Sequence, residues 1–234
     1  MIRILLLSAL ILFFGCEDKQ SKPKESPSKI TKTKEKKPEK VDKSEIETPE
    51  FPFLTDENAM EFFLQYEKEN TENKVRITTK FGTIDILLYD QIKFHRANFI
   101  YLTKRGYFEG TQFYRVVDNF VIQAGNTDDP KIKRKRADIG HYLLPPDTKR
   151  GLKHHRGVIS VPSSEIADAY KLASPFEFFI VQKKDGAYHL DGDYTVFGEV
   201  IAGMDVVDEI ASQETDSGEW PLRNVYIKKV EIID

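Results

Sequence analysis

Residues 113 to 126 read Phe113-Tyr114-Arg115-Val116-Val117-Asp118-Asn119-Phe120-Val121-Ile122-Gln123-Ala124-Gly125-Asn126. Two runs rich in aromatic and β-branched residues flank an Asp-Asn pair. The stretch therefore predicts a hairpin with strands over Phe113–Val117 and Phe120–Gln123. If Phe113, Arg115 and Val117 alternate in the usual way, an arginine shares a face with two apolar residues. Burying a guanidinium is costly unless it is hydrogen-bonded. Arg115 therefore either snorkels to the rim of the sheet or serves as a donor aimed at something, and periodicity leaves both open.

Working outward, Val75–Thr79 and Ile84–Ile86 alternate around a Phe81-Gly82 turn and predict a second hairpin. Lys93–Lys104 predicts a helix, with Phe94, Ala97, Ile100 and Tyr101 on one stripe and Gly106 as its stop. Further short strands are expected at Val158–Val161, Phe178–Val181, Thr195–Val200 and Val225–Ile232, and a second helix at Met204–Ser212. The expected fold is mainly β: a closed eight-stranded antiparallel barrel capped by two helices, over residues 73–234. Closure removes exposed sheet edges, and an eight-stranded interior is just wide enough to fill with side chains. Upstream, residues 51–72 read as a short helical extension. Thr55 is its expected N-cap, the helix runs roughly 56 to 69, and its Phe62-Phe63 pair is expected to dock on the main domain.

The first fifty residues differ in kind. Arg3 followed by the apolar run Ile4–Phe14 has the length of a signal-peptide core and is too short to span a bilayer, which needs about 20 residues. The run ends in Phe13-Phe14-Gly15-Cys16, and Cys16 is the single cysteine of the chain. The site resembles a bacterial lipoprotein cleavage site, although Phe13 stands where Leu is usual. Residues 1–15 are thus expected to be removed as a signal peptide and Cys16 to carry a lipid. Acyl chains such as palmitate bind membrane at about 0.8 kcal/mol per buried CH₂. The implied location is a bacterial cell envelope, periplasmic or surface-facing. Between Glu17 and Glu50 there are ten Lys, nine Asp or Glu and four Pro, against three aliphatic residues. Such a segment cannot bury enough apolar area to offset its ordering entropy, so residues 16–50 read as a disordered tether.

Composition narrows the chemistry. A net charge of −3 over 234 residues gives no reason to expect nucleic acid as a partner. One cysteine excludes an intrachain disulfide, and the five histidines show no metal-ligand spacing. There is no G-x-S-x-G, P-loop, G-x-G-x-x-G or H-E-x-x-H pattern, and no cofactor is implied. Ser160 and His154 could be imagined as nucleophile and base, but nothing marks an elbow around Ser160, and both read as chance occurrences in a strand region. Lys133-Arg134-Lys135-Arg136 lacks interleaved aromatics and reads as a solvated loop.

The central hairpin resembles the F-H-R-x-x-x-x-F-x-x-Q-G-G signature of the cyclophilin family. The resemblance continues through Lys153-His154 to Ser160, Phe178-Phe179-Ile180, Leu190-Asp191-Gly192, Val196 to Val200 and Gly203 to Val207, in register over about 160 residues. It implies a cyclophilin-like barrel and peptidyl-prolyl cis/trans isomerase activity on proline-containing polypeptides; together with the signal segment, the expected role is assisting the folding of extracytoplasmic proteins, and the protein is expected to be a monomer. Arg115 falls on the family's catalytic arginine and Gln123 on the residue that orients it. Phe120, Val121, Phe179 and Leu190 fall on the wall of the proline pocket, and Tyr194 stands where many members have histidine. Several positions depart from the pattern. Pro162 and Ser163 replace a common Ala-Asn in the substrate groove, His189 replaces a frequent Trp, and Ala124 replaces the first Gly of a pair. Glu177 replaces a Gln beside the groove. It opens a strand, so a solvent-facing rim position is expected, from which it could reach Arg115 or attract a basic substrate. A different class of function on the same barrel is a non-catalytic peptide-binding or scaffold module, which Glu177, Pro162 and Ser163 keep open.

Overall fold

The computed structural model describes residues 51–164 and 170–234. The expected signal peptide, Cys16 and the tether lie outside the described residues. In chain order the elements are β1 (Leu54–Thr55), α1 (Ala59–Glu69), β2 (Lys74–Thr78), β3 (Thr83–Leu88), α2 (Lys93–Lys104), β4 (Gln112–Val117) and β5 (Val121–Asn126). There follow α3 (Pro130–Ile139), β6 (Gly140–His141), β7 (Val158–Val161), β8 (Phe178–Val181), β9 (Thr195–Ala202), α4 (Met204–Ala211) and β10 (Lys229–Ile232).

Eight strands form one antiparallel sheet in the order β10-β2-β3-β9-β7-β8-β5-β4. The expected last strand, Val225–Ile232, divides its pairing and thereby closes the sheet. Its second half, β10, pairs with β2. Its first half bonds to the chain entering β4: Phe113 N–H donates to Val225 O, Ile227 N–H to Thr111 O, and Gly110 N–H to Ile227 O, each at 2.8–2.9 Å. The resulting barrel interior is filled by Ile77, Ile84, Ile86, Phe113, Ile122, Ile159, Phe178, Ile180 and Phe197, all with 0–1% of their surface exposed. Strands β5, β7, β8 and β9 also bury their outer faces, where Val121, Val158, Phe179, Val181 and Val196 form a second cluster. This two-sided burial explains why those segments read as continuous apolar runs rather than alternating ones.

Helix α2 is buried from His95 to Thr103 rather than along one stripe. The reason is α1, which packs on its outer side: Phe62, Phe63 and Tyr66 surround the Tyr101 ring with centroids 5.1–5.8 Å away. The helix starts at Ala59, three residues later than the expected 56, and Thr55 is not its cap. Leu54-Thr55 is drawn into extended pairing with Gly140-His141, and the Asn58 side chain closes the turn by accepting Thr55 N–H at 2.8 Å. Gly140, at φ +142°, permits this pairing, since a Cβ there would lie 2.0 Å from Leu54 O.

The basic tetrad is not a loop; it lies in α3. Asp129 caps that helix by accepting Lys131 N–H at 2.8 Å, Pro130 occupies its first turn, and Ile132 and Ile139 supply its buried side. Asp-Pro ahead of two isoleucines seven residues apart is a helix-start signal that the charge run obscured.

Candidate functional site

The site begins with an irregularity in β4. Phe113 pairs with Ala124 and Arg115 pairs with Gln123, so Tyr114 is an extra residue on one strand. Such a β-bulge breaks strict alternation and re-aims the side chains that follow. Phe113 and Val116 point into the core, whereas Tyr114, Arg115 and Val117 are only partly buried. Arg115 therefore does not share a face with Phe113, as alternation implied. The bulge places it on the outer face of the barrel, beside the second apolar cluster.

There, Arg115, Phe120, Val121, Gln123, Pro162, Ser163, Phe179, Leu190 and Tyr194 line one cavity of about 270 Å³. Each residue has a structural reason for its place. Val121 and Gln123 are the outward positions of β5, whose inward positions are Ile122 and Ala124. Phe120 is in the turn before β5, following Asn119 in the left-handed region at φ +53°. Phe179 is the outward residue of β8 between Phe178 and Ile180. Its ring meets Tyr194 edge-on at 5.8 Å and stacks on His154 at 6.0 Å. Leu190 ends a single 3-10 turn, Tyr188–Leu190. His189 of the same turn stacks on Phe120 at 5.4 Å, packing the outer side of the pocket wall.

The polar groups make the following hydrogen bonds. Arg115 Nε donates to Glu219 Oε2 at 2.6 Å. Gln123 Nε2 donates to the Tyr114 hydroxyl, which donates in turn to Glu177 Oε2 at 2.8 Å. Gln123 thus faces Arg115 across the ladder but directs its amide nitrogen to Tyr114. Glu177 does not take the expected rim position: it is 9% exposed. It lies in the adjoining cleft with Asn126, Ser163 and Arg136, and Arg136 Nη1 stands 3.6 Å from its carboxylate. That cleft joins the main cavity at Ser163.

Glu219 is the residue that sequence reasoning missed. It comes from the loop after α4, which packs beside β4 through a Trp220–Tyr114 ring contact at 5.9 Å. No local signal marks it, because its position depends on two segments about a hundred residues apart.

His154 and Ser160 do meet. His154 Nδ1 lies 2.9 Å from Asp191 Oδ1, and Nε2 lies 3.1 Å from Ser160 Oγ. With Nδ1–H directed at the carboxylate, Nε2 is free to accept. The Ser160 hydroxyl is also 2.8 Å from Thr195 O, which can take its proton instead. Burial lowers the proton affinity of His154 against the opposing pull of Asp191, which favours the neutral ring. Ser160 and His154 are 0% and 1% exposed, which denies any substrate access to the hydroxyl. The trio is a structural brace behind Phe179.

Comparison with known proteins identifies the family. The family model described as cyclophilin type peptidyl-prolyl cis-trans isomerase/CLD matches residues 74–232. The Arabidopsis thaliana peptidyl-prolyl cis-trans isomerase CYP18-1 is 32% identical over 161 residues, covering 68% of this chain and 94% of its own. A Rhizopus delemar peptidyl-prolyl cis-trans isomerase-like 2 is 35% identical over 170 residues, 71% of this chain, which spans only 30% of that longer protein. A Cryptosporidium parvum cyclophilin type peptidyl-prolyl cis-trans isomerase, crystallised in the presence of the dipeptide Ala-Pro, matches with a TM-score of 0.56 at 25% identity, covering 69% of this chain and 99% of its own. This chain belongs to the cyclophilin-type peptidyl-prolyl cis-trans isomerase family.

Proposed function

We propose that the protein isomerises X-Pro bonds of extracytoplasmic polypeptides, with Arg115 acting on the prolyl nitrogen above an apolar pocket, while a lipid on Cys16 holds it at a bacterial envelope membrane. The observation that carries the catalytic reading is the convergence of one guanidinium with Phe120, Val121, Phe179 and Leu190 on a single cavity. Rotation about an X-Pro bond must overcome about 18–20 kcal/mol, the cost of losing amide resonance. In the twisted state the prolyl nitrogen regains a localised lone pair. A guanidinium donor near that nitrogen stabilises the twisted state more than the planar one, which is the differential binding that catalysis needs. The apolar walls grip the proline ring and exclude water, and a lower local dielectric strengthens the arginine's interaction. Tyr194 and Ser163 also line the cavity, and Gln123 and Glu177 brace the wall through Tyr114. Proton transfer and covalent intermediates have no part in this reaction.

A protease-free isomerisation assay on X-Pro peptides tests the proposal. Turnover near 10–10³ s⁻¹, against about 0.01 s⁻¹ uncatalysed, corresponds to roughly 4–7 kcal/mol of barrier reduction. Arg115→Ala is expected to forfeit about 2–4 kcal/mol of it. Activity within threefold of wild type in a folded Arg115→Ala protein sinks the assignment and leaves the non-catalytic peptide-binding module as the better reading.

A further inference from the structure

The guanidinium at the cavity already has a partner. Arg115 Nε donates to Glu219 at 2.6 Å, and among the described residues neither Nη atom has a hydrogen-bond partner. Nε and the two Nη atoms occupy different edges of one rigid plane, so engaging Nε fixes which way the other donors point. Gln123, the residue implied to orient the arginine, donates its amide nitrogen to Tyr114 instead.

Glu219 occupies its place under backbone strain. Its φ is +63°, one of three positive values at residues other than glycine among the described residues. A left-handed conformation is costly for a side chain with a Cβ and persists where surrounding contacts impose it. Those contacts are visible: Val116 N–H donates to Glu219 O at 2.8 Å, and Glu219 N–H donates to Asp216 O at 3.1 Å. Asp216 Oδ1 accepts from Gly218 N–H at 2.8 Å and Trp220 N–H at 3.0 Å. The Arg115–Glu219 pair is about two-fifths exposed, with side-chain exposures of 35% and 42%. Pairs so exposed contribute little to stability. Strain with so little return in stability is expected where a residue serves the site.

We propose that Glu219 is a positioning residue of the isomerase, holding Arg115 by Nε so that its Nη edge faces the proline pocket. The proposal rests on the reading of Arg115 as the group that acts on the prolyl nitrogen. Removing the tether leaves the charge of Arg115 intact and frees its side chain to take other rotamers.

The test compares Arg115→Ala, Glu219→Ala, Glu219→Gln and Glu219→Gly in the full chain. Glu219→Ala is expected to lower kcat/KM by about tenfold or more, mainly through kcat, because misplacement of a catalytic group is costly. Glu219→Gln keeps an acceptor for Nε–H and is expected to recover most of that loss. Glu219→Gly is expected to lose activity like Glu219→Ala while its melting temperature stays level or rises, because glycine relieves the φ +63° conformation. The Arg115 Nε–H resonance is expected to shift and exchange faster in Glu219→Ala than in wild type. Glu219→Ala within twofold of wild type, beside an inactive Arg115→Ala, overturns the positioning role alone. Glu219→Gln and Glu219→Ala both more active than wild type overturn it as well, showing that Glu219 restrains the arginine. A fully active Arg115→Ala overturns both this inference and the catalytic reading beneath it.

Discussion

The Tyr114 hydroxyl donates a hydrogen bond to Glu177 at 2.8 Å and accepts one from Gln123. On its other side Glu177 faces Arg136. Glu177→Gln keeps an acceptor for Tyr114, and Arg136, 37% exposed by side chain, can turn to water. Activity is expected to change less than about fivefold, with the same preference among neutral, acidic and basic peptides. Glu177→Ala removes the acceptor from a buried site and is expected to cost about 1–3 kcal/mol. Urea titrations and peptide assays at low and high salt check both variants. A large activity gain on all peptides, indifferent to salt, shows instead that Glu177 restrains Arg115.

Ser160 hydrogen-bonds within the wall of the barrel, linking His154 Nε2 to Thr195 O. Ser160→Ala is therefore expected to leave isomerase activity within about threefold. It is expected to destabilise the fold by about 1–3 kcal/mol, the cost of leaving a buried polar group without its partner. Loss of turnover in a variant of unchanged stability contradicts this purely structural role.

The barrel was legible because its strands carry strong local signals. Tight turns such as Phe81-Gly82 and β-branched runs such as Val158–Val161 specify strands whatever lies around them. The site was legible only through resemblance. Alternation placed Arg115 beside Phe113, because nothing in Phe113-Tyr114-Arg115 announces that Tyr114 is the extra residue of a bulge. The contact between Glu219 and Arg115 spans 104 positions and follows from barrel closure, which no local pattern encodes. Glu177 was placed at the rim because a charged residue opening a strand is usually solvated. Tyr114 and Arg136, which make its burial tolerable, come from β4 and α3. The meeting of His154, Asp191 and Ser160 was invisible for the same reason. Helix α3, by contrast, was fully encoded in Asp129-Pro130, and the adjacent charge run masked it.

Cys16 offers a test that the barrel cannot. Residues 1–15 are expected to be absent from the mature protein, and Cys16 is expected to carry acyl chains detectable by mass spectrometry. Between Glu17 and Glu50 there are only three aliphatic residues, and among the described residues no helix is long and apolar enough to cross a membrane. On the proposed lipid anchor, which gives the acyl chains the membrane contact, Cys16→Ser is expected to move the protein out of the membrane fraction. Retention of that variant in membranes after a salt wash defeats the anchor.

His95 is expected to contribute to the acid sensitivity of the fold. It is 2% exposed on α2, its ring 6.3 Å from that of Phe197, and neither ring nitrogen has a hydrogen-bond partner among the described residues. Burial lowers its pKa from 6.5 to about 4, with Asp147 opposing weakly. The folded protein therefore holds His95 neutral while the unfolded chain takes up a proton below its own pKa of 6.5. Stability from this residue is complete above that pH and is lost as pH falls towards the folded value of about 4. At about 1.4 kcal/mol per unit, the loss amounts to roughly 3 kcal/mol. Burial also lowers the proton affinity of His154, which adds in the same direction. His95→Leu removes the proton site and two unsatisfied nitrogens while keeping the position apolar. Urea unfolding from neutral pH down to about pH 4.5 is expected to show a smaller stability loss in His95→Leu than in wild type. Equal losses in the two proteins place the acid sensitivity elsewhere, with His154 the next residue to substitute.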